Sequence, residues 1–177
     1  MRLRKLELKD KNGMLEWIKC PEINRYFQFN PETINLDSLT EFIKQSHHDP
    51  NNKHYAIVNN EDEYLGTISL KNIDCKNGNA EYAISLRKEA IGKGISQTAT
   101  DRIMRIAFLE LSLHKIYLNV ISENIRAIRF YEKYGFTFEG EFTEQINSKG
   151  EYKNLRWYAM FKKQFMERFQ DKVDIIN

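Results

Sequence analysis

Long hydrophobic runs are missing from this sequence, and so are blocks of like charge, internal repeats and any cysteine pattern. No stretch reaches the roughly 18 apolar residues of a membrane span. The first ten residues, MRLRKLELKD, carry charge where a secretory signal has its apolar core. Both absences predict a cytoplasmic chain with no membrane partner. Lys and Arg number 27 against 25 Asp and Glu, a net charge of +2, and without a basic block a nucleic-acid clamp is excluded. Cys20 and Cys75 form no Cys-x-x-Cys or Cys/His spacing, so no metal site is expected and both are read as reduced, partly buried thiols.

What is present is an alternation of element types in a chain of one-domain length, 177 residues with 41% apolar. One domain is assigned to residues 1–165. A tail, 166–177, follows, where Phe165, Met166 and Phe169 keep the spacing of a short helix. Period-two alternation gives a first strand at Arg2 to Leu8. Asp10 is placed to cap a helix carrying Met14, Leu15, Trp17 and Ile18 that stops before Pro21. A second helix carries Leu36, Leu39, Phe42 and Ile43 and ends near His47-His48-Asp49-Pro50. His54–Asn59 and Tyr64–Leu70 read as a hairpin, and Ala80–Leu86 as the next strand. A helical stripe runs from Ile95 to Leu111, and Lys115–Ile121 alternates again, which makes a βαβ crossover with parallel neighbours. A helix from Asn124 to Tyr134 closes at Gly135. Strands Phe136–Ile146 and Leu155–Phe161 flank the turn Asn147-Ser148-Lys149-Gly150.

The crossover holds the most informative feature. Gly92 and Gly94, two of only eight glycines, stand where the strand gives way to the helix. The first amides of a helix have no partner within it, and residues lacking a β-carbon let a ligand approach them. Such a start attracts anions through its bare N–H groups and its dipole. A phosphate is therefore the expected ligand, with Lys93 adding charge and Ser96 a hydroxyl; a tight turn with no ligand fits the same pattern. The spacing is neither a Walker loop nor a dinucleotide fingerprint.

Two segments, ISLRKEAIGKGIS from Ile84 to Ser96 and NIRAIRFYEKYGF from Asn124 to Phe136, resemble the acetyl-CoA-binding core of the GNAT N-acetyltransferase superfamily. In the second, Asn124, Ala127, Tyr131, Lys133, Gly135 and Phe136 match the pattern N-x-x-A-x-x-x-Y-x-K-x-G-F. One departure is Glu89, where many members carry Gln or Arg. The branches it is most similar to are the ribosomal-protein-alanine, polyamine and nucleotide-amino-sugar acetyltransferases. The resemblance implies an α/β (α+β) GNAT fold: a central, mixed, mostly antiparallel seven-stranded sheet splayed between two parallel strands and flanked by helices. It also implies acetyl-CoA as co-substrate. Its pantetheine arm would pair with the backbone of Ile84, Ser85 and Leu86, and its pyrophosphate would rest on Gly92, Lys93, Gly94, Ile95 and Ser96.

Acyl transfer from a thioester to an amine needs a neutral amine, a polarised carbonyl and a proton for the departing sulfur. Tyr131 matches the family tyrosine beside that sulfur; a core aromatic is the competing reading. Asn124 caps its helix or touches the coenzyme. Glu81, on the strand leading to the glycines, is the candidate base, against an exposed strand charge. His47, His48, His54 and His114 sit at element boundaries.

The acceptor side is built by the first helices and the last hairpin. The stretch WIKCPEINRYF, with Trp17, Arg25 and Tyr26, resembles acetyltransferases acting on nucleotide-linked amino sugars, aromatics stacking and Arg25 meeting a diphosphate. The closing strands resemble spermidine acetyltransferases, in which Glu139, Glu141, Glu144 and Glu151 could hold a polycation. A ribosomal-protein N-terminus is a third acceptor. The order is amino sugar, polyamine, protein, with Glu81 shared by all three, and a homodimer is expected. The alternative outside enzymology is a module that senses acetyl-CoA without consuming it.

Overall fold

The computed structural model describes residues 1–148 and 150–174, the side chains of 169–174 excepted. Seven strands form one sheet: β1 (Arg2–Lys5), β2 (Lys53–Val58), β3 (Tyr64–Asp74), β4 (Asn79–Leu86), β5 (Lys115–Ile121), β6 (Thr137–Ser148) and β7 (Glu151–Phe161). They lie in the order β1-β2-β3-β4-β5-β7-β6. Every neighbouring pair is antiparallel except β4 and β5. The mixed, mostly antiparallel sheet expected from the alternation is the sheet that forms.

Six helices flank it: α1 (Lys11–Lys19), α2 (Pro21–Asn24), α3 (Leu36–Ser46), α4 (Ile95–Arg105), α5 (Ile125–Tyr134) and α6 (Lys162–Asp174). The strands bury side chains on both faces, so the sheet divides two cores. In β2, Ile57 belongs to one, with Ile103, Phe108, Tyr131 and Phe165, while Ala56 and Val58 belong to the other, with Met14, Trp17, Leu39 and Ile43. Helices α4, α5 and α6 thus cover one face, and α1 and α3 the other. Among the described residues no helix is long and apolar enough to cross a membrane.

Several boundaries differ from the expectation. β1 ends at Lys5, because a 3-10 turn at Leu8–Asp10 follows, leaving Leu6 fully buried and Leu8 half exposed. Asp10 does not cap α1 with its side chain. Its buried carboxylate instead accepts both Arg4 nitrogens, at 2.7 and 2.8 Å, and the Glu7 N–H at 2.8 Å. The short helix α2 begins on Pro21, the residue expected to end α1; its fixed φ suits a first helical position, where the missing N–H is not needed.

The helix from Ile95 does not run regularly to Leu111. Ile106–Glu110 widens into a π-turn, with the Leu111 N–H donating to the Ile106 carbonyl five residues back at 2.9 Å. That rotation buries Ala107 and Phe108 and leaves Ile106 and Leu111 only partly covered. In the tail, α6 starts at Lys162, with Phe165 buried against Phe108 at 5.2 Å between ring centroids. The Phe169 side chain and Lys149 lie outside the described residues. Both cysteines are free, and Cys75 is exposed rather than partly buried, because it sits in the β3–β4 turn.

Candidate active site

The parallel pairing of β4 and β5 lasts for three residues. Asn79 faces Lys115, Ala80 faces Ile116, Glu81 faces Tyr117, and there the ladder stops. Beyond it β4 stays paired to β3, with Ile84 opposite Ile68, Ser85 opposite Thr67 and Leu86 opposite Gly66. β5 stays paired to β7 through Ile121. Two strands held by different neighbours must separate, and a cleft of about 640 Å³ opens between them. The edge of β4 along Ile84, Ser85 and Leu86 faces it with no strand partner, able to accept one more extended segment.

At the outer end of the cleft α4 begins. Gly92 and Gly94 have φ of 81° and 75°, so the backbone reaches the helix through left-handed residues. A β-carbon on either would meet no atom within 4 Å; the space beside them is open for a ligand. Thr98 is the first residue to bond back, to the Gly94 carbonyl at 3.2 Å, and among the described residues no acceptor serves the amides of Gly92 through Gln97. Thr100 fixes this first turn, donating to the Ser96 carbonyl at 2.6 Å and pairing with the Tyr82 hydroxyl at 2.8 Å. Lys93 is exposed and Ser96 lines the cleft. Glu89 is tied to Arg87 at 2.8 Å and does not reach the glycines' amides.

Tyr131 lies on the wall formed by α5, 9% exposed, among the rings of Tyr82, Phe130, Phe136 and Tyr158 at 5.5–6.5 Å. The other buried tyrosines have committed hydroxyls: Tyr64 to Thr67 at 2.6 Å, Tyr82 to Thr100, Tyr134 to Asp101 at 2.7 Å and Tyr158 to Glu132 at 3.0 Å. Among the described residues the Tyr131 hydroxyl has no partner, and burial alone pushes it up to about 12. It therefore carries its proton at neutral pH. Asn124 caps α5, its side chain accepting the Ala127 N–H at 3.3 Å while it also lines the cleft. Tyr134 is buried in the core, whereas Phe130 is only partly buried and contributes to the cleft.

Glu81 sits where the strands part, its side chain 16% exposed. One oxygen meets Lys71 Nζ at 2.7 Å and the other accepts from Asn72 Nδ2 at 3.0 Å. None of the four histidines lines the cleft; His54, for example, bonds the Ser69 hydroxyl at 2.7 Å and is pushed down by burial.

On the acceptor side the expectation needs one correction. Trp17 does not reach the cleft: it is buried in the second core, its indole N–H donates to the Tyr64 hydroxyl at 2.9 Å, and its ring supports Phe27 edge-on at 5.6 Å. Arg25 and Tyr26 do line it, stacked as a cation–π pair at 4.7 Å. They belong to a strap over the opening that sequence reading missed in part. Tyr26 donates to the Glu123 carbonyl at 3.2 Å, Gln28 to Asn119 at 2.6 Å, and Phe27 stacks on Phe29 at 4.8 Å. Asn119 had a signal, a polar residue at an alternating position of an otherwise apolar strand; Gln28 had none.

Among the described residues no group of three or more His, Cys, Asp or Glu gathers as for a metal. The arrangement is suited to hold a diphosphate at one end, an extended arm along β4, and a reacting centre between Tyr131 and Glu81.

Comparison with known proteins bears on the family. Residues 1–137 match the family described as Acetyltransferase (GNAT) domain. Spermidine N(1)-acetyltransferase of Escherichia coli K12 is 29% identical over 166 residues, 94% of this chain and 88% of that protein. Acetyltransferase PseH of Campylobacter jejuni is 25% identical over 128 residues, 72% of this chain and 77% of that one. The crystal structure of spermidine N-acetyltransferase from Vibrio cholerae in complex with CoA and spermine superposes with a TM-score of 0.86 at 28% identity, covering 93% of this chain and 97% of the other.

Proposed function

This chain belongs to the GNAT acetyltransferase family, an acetyl-CoA-dependent N-acetyltransferase, and from that premise we propose that it acetylates a primary amine of a small molecule, first among them a nucleotide-linked amino sugar. The observation that carries the transferase reading is the meeting, in one cleft, of the open edge at Ile84–Leu86, the uncommitted hydroxyl of Tyr131 and Ser96, at whose side the unpartnered amides begin at Gly92 just beyond the lining.

Acetyl-CoA supplies an acetyl group activated as a thioester. The residues of this chain divide the remaining work. Gly92, Lys93, Gly94, Ile95 and Ser96 hold the diphosphate through bare N–H groups, with open space where a β-carbon of residue 92 or 94 would stand. Ile84, Ser85 and Leu86 align the pantetheine arm as an added strand. Glu81 accepts a proton from the incoming ammonium, directly or through one water, so that nitrogen presents a lone pair. As the C–N bond forms and the C–S bond breaks, the Tyr131 phenol donates to the departing sulfur. It recovers a proton from the nitrogen, giving amide and thiol.

The acceptor assignment rests on charge. None of the four hairpin carboxylates that would serve a polycation lines the cleft, and three are paired elsewhere: Glu139 with Lys115 at 2.8 Å, Glu141 with Arg156 at 2.7 Å and Glu151 with Lys153 at 2.7 Å, while Glu144 has no ion-pair partner among the described residues. Those inside it are also shared with lysines: Glu22 with Lys88, Glu81 with Lys71 and Glu123 with Lys153. Arg25 and Arg126, by contrast, line the cleft with no ion-pair partner among the described residues. With the Tyr26 ring against Arg25 and Phe29 also on the lining, this mouth favours an anion carrying flat groups. The second reading, a polyamine, is supported by the similarity to spermidine N(1)-acetyltransferases.

Thiol release from acetyl-CoA over a panel of nucleotide-linked amino sugars, spermidine and N-terminal peptides tests both. The highest kcat/KM is expected with an amino-sugar nucleotide. Spermidine in that position would replace the acceptor, and tight coenzyme binding without thiol release from any amine would make the chain a sensing module.

A further inference from the structure

Glu81 is held by an irregularity in the neighbouring strand. The β3–β4 ladder runs regularly from Gly66 opposite Leu86 to Lys71 opposite Glu81, then breaks and resumes only at Asp74 opposite Asn79. At the break Asn72 takes φ of 51°, one of four non-glycine residues with positive φ among the described residues. A left-handed residue inside a strand is strained and persists only where its surroundings impose it. Here they do so from outside the sheet: the Asn72 N–H donates to Asn52 Oδ1 at 3.0 Å, the Ile73 N–H donates to the Asn51 carbonyl at 2.8 Å, and Asn52 is itself anchored on Asp49 at 2.8 Å.

The effect of the bulge is local. In a regular strand Lys71 and Asn72 would point to opposite faces; instead both reach the same carboxylate, one at each oxygen. A carboxylate offers about four lone-pair sites, so these two donors fix its orientation and leave it able to accept a third. Lys71 lines the cleft beside Glu81.

We propose that Lys71 and Asn72, brought together by the β3 bulge, are positioning residues that hold the Glu81 carboxylate aimed at the incoming amine. The inference rests on the assignment of Glu81 as base. It makes the strained Asn72 part of the catalytic support, acting through Glu81 without touching the substrate.

The test is a set of coupled variants: Glu81→Gln, Lys71→Met, Lys71→Arg and Asn72→Gly, the last keeping the left-handed backbone and removing only the amide. Each is assayed with the panel amine that turns over fastest, beside coenzyme affinity by calorimetry and thermal midpoint. Glu81→Gln should lower kcat about 100-fold or more, the scale of lost base catalysis. Lys71→Met and Asn72→Gly should each lower it about 10-fold through misorientation, with coenzyme affinity unchanged and Lys71→Arg recovering most of the loss. In the Glu81→Gln background neither substitution should change kcat further. Unaltered kcat in both single variants, or equal losses with and without Glu81, overturns the positioning role while leaving Glu81 as base. Full turnover by Glu81→Gln, or none of the panel amines reacting, overturns both assignments together.

Discussion

Among the described residues Tyr131 differs from the other buried tyrosines in an uncommitted hydroxyl, and the donor role proposed for it rests on that. Tyr131→Phe removes one oxygen from a packed site, so coenzyme affinity should hold while kcat falls about 100-fold, the pattern of an interaction made in the transition state. Steady-state kinetics beside calorimetry separates the two; equal turnover removes Tyr131 from the mechanism. The phenol is neutral below its pKa and ionised above it, and burial moves that point up to about 12. The donor is thus lost only above it, and kcat should show no falling limb from this group between pH 7 and 10; a limb centred at the ordinary tyrosine value of about 10 would contradict its environment. The placement of Tyr131 and Asn124 on one helix and of the glycines at one turn was legible because it depends on spacing along a single element. Trp17 was misassigned although Met14, Trp17 and Ile18 already formed a helical stripe: a stripe says which residues are buried, and the indole followed its helix into the core.

At the scale of elements, the start of α4 and the clip around β1 carry distinct expectations. Gly94→Val places a branched side chain at φ of 75°, destabilising the fold by about 1–2 kcal/mol, a loss of roughly 2–8 °C in thermal midpoint for a chain of this length. Its β-carbon also enters the space assigned to the diphosphate, so coenzyme affinity should drop more than about 10-fold; calorimetry showing unchanged affinity would contradict the cradle. At the other end of the sheet, Asp62 accepts from Lys9, Arg4 and Arg2, tying the β2–β3 turn to β1. Lys9 and Arg4 hold its carboxyl down at about 2, below the ordinary 3.8. A lowered pKa stabilises the fold above the unfolded value, and that contribution is lost as pH falls from about 4 to about 2. Asp62→Asn should therefore lower the melting point at pH 7 but melt with the parent at pH 2; a constant gap across that range would exclude the clip. Element types were readable from periodicity, whereas the π-turn after α4 and the bulge at Asn72 were not. The apolar stripe continues through the first, and the second is imposed by Asn51 and Asn52, some twenty positions away.

For the whole molecule, the parallel neighbours β4 and β5 follow from a single crossover that periodicity made legible, whereas the insertion of β7 between β5 and β6 left no such mark in the periodicity. The strap over the acceptor opening was not legible either, since its register depends on pairings such as Gln28 with Asn119, 91 positions apart. One region of the surface calls for a partner. β6 is an edge strand of 12 residues, and Phe138, Phe142 and Tyr152 on its hairpin with β7 are 50%, 51% and 66% exposed. Edge strands of this length pair or are covered, so light scattering should give twice the 21.1 kDa chain mass, and Tyr152→Asp with Phe142→Asp should return it to the single value. A monomer at micromolar concentration in the parent would exclude the homodimer.

The sheet's two separate cores have an evolutionary consequence. The coenzyme contacts proposed for this chain fall on the side of α4 and α5, whereas the strap over the acceptor opening leans through Phe27 on Trp17 and the packing beneath α1. Descendants can then rewrite one half under selection for a new metabolite while inheriting the acetyl-donor half intact, and relatives at similar identity can diverge in what they modify without diverging in how.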